Sequence, residues 1–245
     1  MTKNIDINCD VGEGVENEHL IMPYISSCNI ACGGHFGDVN SIDKTITLAI
    51  KNKVKIGAHP SFPDKENFGR KLMQISDEAL KISIENQLDL FLQRLTFVDE
   101  KLHHIKPHGA LYNAITVDEK LAKLFVKITQ KYLENAFLFV PYNSVIEKVA
   151  LINGLKVKYE AFADRNYNDD LTLVSRAQEN ALLSEEKEVF NHVLSMIKSG
   201  KVKTISGVER LIKVDTFCIH GDAKNAFRIA KYLHKNLKKE GYKVG

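Results

Sequence analysis

Short runs of apolar and β-branched residues alternate along the chain with longer segments whose apolar residues recur every three to four positions. The short runs predict buried strands and the longer segments predict amphipathic helices. Seven strands are predicted, at 5–9, 27–31, 54–58, 102–106, 137–141, 156–163 and 215–221. A strand followed by a helix, repeated about seven times, indicates a mostly parallel sheet with helices on the outside.

Helices are predicted from the apolar stripes between these strands. They lie at 38–53, 76–100, 117–134, 144–153, 184–199 and 206–213, and a last helix begins near 222. The helix at 76–100 opens with Ser76, Asp77 and Glu78, which place a capping side chain and acids at the positive end of the helix dipole. No repeat, low-complexity segment or linker interrupts the pattern, so a single domain over 1–245 is expected.

Composition and charge exclude several classes of protein. Of the 245 residues, 44% are hydrophobic and 27% charged, the usual balance of a globular chain with a large core. A net charge of +3 with scattered basic residues does not predict a nucleic-acid partner. No apolar run approaches the roughly 18–20 residues of a membrane span, and the N-terminus has no leader pattern, so no membrane association is expected.

The four cysteines lie inside apolar, strand-like stretches: Cys9, Cys28, Cys32 and Cys218. This placement predicts reduced thiols in a cytoplasmic protein rather than a disulfide framework. The spacing of Cys28 and Cys32 would suit a zinc pair, but no second pair accompanies them. Buried thiols are therefore the better interpretation.

Polar side chains beside glycine or proline follow nearly every predicted strand. The strand ends read Cys9-Asp10, Cys32-Gly33-Gly34-His35, Gly57-Ala58-His59-Pro60, Lys106-Pro107-His108-Gly109, Pro141-Tyr142-Asn143, Glu160 with Asp164 and Arg165, and His220-Gly221-Asp222. In parallel β/α folds the working groups collect at the carboxyl ends of the strands. One such histidine is as often structural as functional, but four at equivalent places favour a shared site.

These side chains support two kinds of chemistry. A carboxylate or histidine can activate water while another group protonates a leaving atom. Alternatively, aspartate and histidine can bind a divalent metal that lowers the pKa of a bound water. Lys106, Arg165 and Arg70 are candidates for binding a carboxylate or phosphate. The chain has no phosphate-binding loop, no dinucleotide fingerprint and no GxSxG motif.

At these same residues the chain resembles a known family, LamB/YcsF. The matching segments are DINCDVGEG (6–14), SCNIACGGHFGD (27–38), IGAHPSFPD (56–64), FGRK (68–71), IKPHGALYN (105–113), EAFADRNY (160–167), LVSR (173–176) and DTFCIHGD (215–222). The resemblance implies a seven-stranded parallel β/α barrel of the glycoside hydrolase and deacetylase type. It also implies opening of the lactam 5-oxoproline to L-glutamate, coupled to ATP hydrolysis with two partner subunits, B and C.

Carried over by position, the resemblance also implies a set of polar site residues. The catalytic candidates are Asp10, His35, His59, His108, Glu160, Asp164 and His220; the substrate-binding candidates are Asn8, Glu13, Asn29, Lys106, Asn113 and Arg165; Asp38 is a further matched polar position. The chain departs from the family pattern at Val15 and Glu16, and at Gly34 and Phe36 on either side of His35. Both departures lie near the expected mouth of the site, so pocket shape or substrate range can differ.

The resulting hypothesis assigns the substrate anion to Lys106 or Arg165 and water activation to Asp10 with His59 or His108, directly or through a divalent metal. Two other functions stay open. One is a metal-dependent amidohydrolase or deacetylase that acts alone, without ATP or partner subunits. The other is a non-catalytic partner that binds a small molecule, which would keep the cationic residues and tolerate loss of the histidines.

Overall fold

The structure, a computed structural model, describes residues 3–223 and 225–245. Its strands are β1 (Asn4–Val11), β2 (Ser27–Ala31), β3 (Lys55–His59), β4 (His104–Ile105), β5 (Phe137–Pro141), β6 (Val157–Phe162), β7 (Lys201–Lys203), β8 (Glu209–Leu211), β9 (Thr216–Ile219) and β10 (Lys243–Val244). Strands β1 to β6 pair in chain order and in parallel, and β9 pairs with both β6 and β1. These seven strands form a closed barrel, which confirms the expected fold class.

Helices surround the barrel. They are α1 (Glu18–Ile21), α2 (Val39–Asn52), α3 (Asp77–Phe97), α4 (Gly109–Val117), α5 (Glu119–Thr129), α6 (Val145–Ile152), α7 (Glu186–Ser199) and α8 (Ala226–Lys239), with 3-10 turns at Met22–Tyr24 and Gln130–Tyr132. The Ser76 side chain caps α3 by accepting a hydrogen bond from the Ala79 N–H at 3.2 Å, as the sequence predicted. Across the described part of the chain, no helix combines the length and apolar character needed to cross a membrane.

Two predicted helices differ in the structure. The segment 206–213 is not helical: β7 and β8 form an antiparallel hairpin whose turn contains Gly207 at φ +88°. Alternating burial along Lys201–Lys203 gives a period of two, and the left-handed glycine allows the tight reversal. The predicted helix at 117–134 corresponds to α5, which begins at Glu119. An additional helix that was not predicted, α4, begins directly after His108 and precedes α5.

The inside of the barrel is polar and hydrogen-bonded. Asn8 donates to Thr216 Oγ1 at 2.8 Å, and Asn29 donates to Asn8 Oδ1 at 2.7 Å. His104 Nε2 lies 2.6 Å from Asn29 Oδ1, and the Thr216 hydroxyl donates to Asp6 Oδ1 at 2.7 Å. Buried polar groups are tolerated only with such partners, so the network ties four strands together from within.

The alternate residues of each strand face the helices. On β1 these are Ile5, Ile7, Cys9 and Val11, all buried in the apolar layer. The four cysteines are free and buried, which agrees with the expected reduced thiols. Apolar packing thus lies between barrel and helices, and the polar interior leads up to the carboxyl ends of the strands.

Candidate active site

The carboxyl end of β1 brings two carboxylates to the mouth of the barrel. Asp10 lies in the strand, and Glu13 lies in the turn that follows. The Glu18 carboxylate at the start of α1 anchors this turn, because its Oε1 accepts hydrogen bonds from the N–H groups of Gly12 and Glu13 at 2.6 and 3.3 Å. Asp10 and Glu13 are 5% and 6% exposed, so both carboxylates are held in a nearly dry environment.

Three histidines from successive strand ends meet at Glu13. Glu13 Oε1 lies 2.9 Å from His35 Nε2, 3.4 Å from His108 Nδ1 and 4.0 Å from His59 Nε2. His59 Nε2 and His108 Nδ1 are 2.9 Å apart. The His35 ring stacks on that of His108, with ring centroids 3.7 Å apart. These four residues form the one cluster of potential metal ligands found among the described residues, and we call it the histidine cluster.

A buried ion-pair network adjoins the histidine cluster. Lys106 Nζ donates to Asp10 Oδ1 at 2.8 Å and lies 3.1 Å from Glu160 Oε1. It also lies 2.9 Å from the sulfur of Cys218. Asn29 Nδ2 donates to the same Asp10 oxygen at 2.7 Å, which leaves Asp10 Oδ2 turned toward His59 Nε2 at 3.5 Å. Lys106 and Asn29 therefore fix the orientation of the Asp10 carboxylate.

A second histidine–carboxylate pair lies at the carboxyl ends of the neighbouring strands β6 and β9. Asp164 Oδ1 is 2.9 Å from His220 Nδ1, and Asp164 Oδ2 accepts a hydrogen bond from the His220 N–H at 3.0 Å. His220 lines the same cavity as Asp10, His59 and His108. The cavity has a volume of about 460 Å³, which is enough for a small-molecule ligand.

The charges of the ion-pair network reinforce one another. Burial by itself would raise the pKa of Asp10, but the contact with the His59 ring and the charge of Lys106 outweigh it and hold that pKa well below its ordinary value. Burial by itself would lower the pKa of Lys106, but Asp10 and the neighbouring acidic groups raise it well above its ordinary value. Asp10 and Lys106 are therefore a charged pair at neutral pH.

The histidine cluster, in contrast to the charged pair of Asp10 and Lys106, contains groups whose surroundings favour the uncharged form. Burial, followed by the neighbouring His59 ring, lowers the pKa of His35 to about 2. Burial, followed by the neighbouring His35 and His59 rings, lowers the pKa of His108 well below its ordinary value. Burial and the negative charge of Asp10 raise the pKa of Glu13 well above its ordinary value. The rings of His35 and His108 are therefore neutral at neutral pH, and a neutral ring keeps a lone pair that can bind a cation.

The other predicted site residues lie below the cavity, in its wall or on the protein surface. Asn8 and Asn29 lie in the polar interior below Asp10, where they position its carboxylate. Asp38 is exposed and caps α2, with its Oδ1 accepting from the Ser41 N–H at 2.9 Å. Asn113 lines the cavity. The Arg165 guanidinium lines it too, but donates to the carbonyl oxygens of Val174 and Ala181 at 2.5 and 3.3 Å.

One residue of the cavity wall, Tyr112, was not singled out from the sequence. Its hydroxyl is buried beside the Glu160 carboxylate, and both residues line the cavity. Tyr112 lies within the segment IKPHGALYN, but a tyrosine at helical spacing looks like a core residue, so the sequence carried no signal for it.

The barrel and its histidine–carboxylate site at the strand ends define a β/α-barrel protein with groups suited to hydrolysis. A GH113 β-1,4-mannanase has a related fold, with a TM-score of 0.53 and 12% identity over 96% of this chain and 99% of that one. Peptidoglycan deacetylase PdaC from Bacillus subtilis, with a TM-score of 0.50 and 11% identity over 99% and 87%, shares it as well. These likenesses show the fold alone.

The chain belongs to the LamB/YcsF family, whose model matches residues 5–245. It is similar to proteins named as the A subunit of 5-oxoprolinase: 39% identical to that of Pyrococcus abyssi and 42% to that of Campylobacter jejuni subsp. doylei, each over 98% of this chain and 96% of the relative. The crystal structure of the lactam utilization protein from Thermus thermophilus matches with a TM-score of 0.92 and 32% identity, over 98% of both chains.

Proposed function

We propose that this chain is the hydrolytic subunit of an ATP-dependent 5-oxoprolinase, which opens 5-oxo-L-proline to L-glutamate together with partner subunits B and C. The main support for this proposal is that Asp10, His59, His108 and Lys106 all line one cavity. The family and the names of the relatives support the choice of a lactam as substrate. The absence of a phosphate-binding loop from the sequence supports activation by ATP on a partner subunit.

A lactam is a poor electrophile, because amide resonance must be lost and the amine must be protonated as it leaves. Phosphorylation of the amide oxygen on a partner subunit would make the ring carbon far more reactive. Attack of water on that carbon and departure of the protonated ring nitrogen would leave γ-glutamyl phosphate, and its hydrolysis would release L-glutamate and phosphate. Three tasks would then fall to this chain: binding the substrate carboxylate, activating a water and protonating the ring nitrogen. Activation of water by a positioned base contributes about a hundredfold to ten-thousandfold in rate.

The contacts favour particular residues for these tasks. Asp10 Oδ2 and the nitrogens of His59 and His108 face the cavity, so we assign them to the attacking water. His220, held by Asp164 on another part of the wall, is our candidate to protonate the nitrogen. Lys106 is fully occupied by buried partners, so we assign it to orienting Asp10.

The substrate carboxylate needs a cation that can reach it. Arg165 donates to two carbonyl oxygens, whereas the Arg70 side chain is 39% exposed at the cavity and pairs with Asp222 across the mouth. We therefore assign the carboxylate to Arg70, which can exchange Asp222 for the substrate at little cost, because exposed ion pairs contribute only about 0–1 kcal/mol.

His108→Ala tests the proposal directly. The variant should leave the fold intact and reduce glutamate formation about a hundredfold to ten-thousandfold, because one water-activating group is lost. The assay combines the chain with its candidate partner subunits, ATP and 5-oxoproline. His19→Ala, on the exposed surface of α1, is the matched control and should retain the wild-type rate. A His108→Ala rate above half of wild type would remove His108 from the mechanism.

Omission of single components tests the coupling to ATP. Leaving out ATP or either partner subunit should abolish glutamate formation if activation occurs outside this chain. Glutamate formation by the chain alone would contradict that division of labour.

The histidine cluster also favours a second candidate, a metal-dependent amidohydrolase that acts alone. Activity on simple amides that is lost on chelation, without ATP or partners, would support this second function over the first.

A further inference from the structure

We propose that His59, His108 and Glu13 bind one divalent transition-metal ion at the barrel mouth. His59 Nε2, His108 Nδ1 and Glu13 Oε1 would be its protein ligands. Each comes from a different strand end, and all three side chains are buried. The sequence left open whether a divalent metal is bound and by which residues, and this proposal names the ligands.

The hydrogen bonds on the far side of each ring fix which nitrogens can bind an ion. His59 Nδ1 lies 2.7 Å from the carbonyl oxygen of Lys106, and His108 Nε2 lies 2.9 Å from the carbonyl oxygen of Phe68. A carbonyl oxygen only accepts, so both of these nitrogens carry a hydrogen. In a neutral ring the other nitrogen then has a lone pair, and an outward N–H bonded to a carbonyl is the usual arrangement of a metal-binding histidine.

The remaining lone pairs point at one another. His59 Nε2 and His108 Nδ1 lie 2.9 Å apart, and Glu13 Oε1 lies 4.0 and 3.4 Å from them. Two ring lone pairs this close in a buried place repel unless a positive species lies between them, and Glu13 Oε1 lies near enough to bind the same species. An ion about 2.0–2.1 Å from each ligand requires pair separations no greater than about 4.2 Å. All three separations satisfy that limit.

His35 belongs to the surroundings of the ion rather than to its ligands. Its ring is parallel to the His108 ring within 3°, with centroids 3.7 Å apart. Imidazole lone pairs lie in the ring plane, so an ion in the plane of His108 lies outside bonding distance of His35. Instead, His35 Nε2 is 2.9 Å from Glu13 Oε1 and can donate to it, which would hold the carboxylate in place.

The donor set indicates the kind of ion. Two imidazole nitrogens and one carboxylate oxygen suit Zn²⁺, Co²⁺, Fe²⁺ or Mn²⁺, whereas Mg²⁺ and Ca²⁺ prefer oxygen ligands. His59 and His108 line the cavity, so a remaining coordination position faces it and the free oxygen of Asp10. A water in that position would be acidified by the ion and placed beside a buried carboxylate.

Titration with Co²⁺ tests the proposal, because Co²⁺ bound by nitrogen and oxygen ligands gives visible absorption bands that report its coordination. The full chain, stripped with a chelator, should take up one equivalent of Co²⁺ with such bands, and Zn²⁺ should displace it. His35→Ala should keep the bands and weaken the affinity about 10- to 100-fold, as expected for a residue that holds a ligand in place. His59→Ala, His108→Ala and Glu13→Gln should weaken binding further and change the bands.

His19→Ala is the control variant and should bind Co²⁺ like the wild type. Circular dichroism checks that each variant is folded, and Glu13→Gln preserves side-chain volume if the histidine variants fail that check. A wild-type chain without these bands at saturating Co²⁺ overturns the proposal, and so do unchanged bands in the folded ligand variants. The titration uses no substrate, ATP or partner subunit, so its result is independent of the glutamate assay.

Discussion

Lys106 carries a charge with almost no access to water, and the two carboxylates beside it are equally buried. Its side chain is 2% exposed, and those of Asp10 and Glu160 are 6% and 0% exposed. Bringing these charges out of water is costly, so their mutual attraction and hydrogen bonds must offset the desolvation. The arrangement holds Asp10 ionised and oriented at the cavity.

Lys106→Met should therefore destabilise the protein strongly. Removing the lysine leaves the buried carboxylates of Asp10 and Glu160 without their counter-charge, at an expected cost of about 3–5 kcal/mol in the free energy of unfolding. Lys55→Met is the matched control, because Lys55 pairs with Asp6 at 3.3 Å but its side chain is 40% exposed. It should cost no more than about 1 kcal/mol. Urea denaturation measures both, and equal losses would contradict the role of burial.

At the residue scale, Asp164 is expected to make the stability of the fold depend on pH in the acidic range. Burial would raise its pKa, but His220 and its hydrogen bonds outweigh burial and hold the pKa below the ordinary value. Below about pH 4 the unfolded chain takes up a proton at Asp164 that the folded chain still excludes, so this part of the stability is present at higher pH and lost as the pH falls through the folded pKa.

Asp164→Asn should remove that contribution. The stability difference between the wild type and the variant should be largest near neutral pH and shrink as the pH falls below about 4. Denaturant unfolding of both proteins across that range measures the difference. Parallel curves over the whole range would show that the His220 contact does not stabilise the ionised form of Asp164.

At the scale of elements, the junction between β4 and α4 decides where His108 lies. Gly109 begins α4 with φ +57°, and a Cβ placed there would lie 2.5 Å from the carbonyl oxygen of Gly69. The Ala110 N–H donates to that same oxygen at 2.9 Å. The close approach ties the loop before α3 to the helix after β4, and His108 is held between them by the Phe68 carbonyl.

Gly109→Ala should disturb this junction. The left-handed backbone costs about 1–2 kcal/mol for alanine, and the clash with Gly69 adds about 1–3 kcal/mol. Gly154→Ala is the control, because Gly154 has φ +73° but no atom within 4 Å of an added Cβ. Thermal unfolding should show the larger loss for Gly109→Ala. Equal losses would mean that the loop simply moves aside.

At the scale of the whole molecule, the polar network inside the barrel joins strands that are far apart in sequence. Asn29 on β2 contacts Asn8 and Asp10 on β1 and His104 on β4. One side chain therefore satisfies buried groups on two other strands and supports the carboxylate that faces the cavity. Stability and site geometry depend on the same contacts.

Asn29→Ala should destabilise the barrel by about 2–6 kcal/mol, since it leaves two buried polar groups without partners at about 1–3 kcal/mol each. Asn153→Ala is the comparison, because Asn153 is exposed at the end of α6 and its side chain bonds only the Val149 carbonyl at 2.8 Å. That change should cost well under about 1 kcal/mol. Chemical denaturation distinguishes the two, and a small loss at Asn29 would show that water replaces its contacts.

The sequence by itself determined the alternation of strands and helices and hence a mostly parallel sheet with helices outside, because strand and helix periodicities are local properties of the chain. Closure of that sheet into a barrel was implied by the resemblance to the LamB/YcsF family. The sequence also indicated that the polar turns lie at one end of the sheet, since parallel strands bring their carboxyl ends to one side. The polar positions Asp6, Asn8 and Asp10, alternating with apolar ones, even carry the signal of a polar interior.

Only the tertiary structure decided which of those groups act together. Glu13 joined the histidines because a turn folds it over the barrel mouth, whereas Asp38 became a helix cap and Arg165 a donor to backbone carbonyls. A hairpin at 201–211 lies where a helix was predicted at 206–213. Its two strands are too short to show a clear period of two in the sequence, and its turn depends on one glycine. Distances, burial and proton positions depend on contacts between segments far apart along the chain, and local pattern does not encode them.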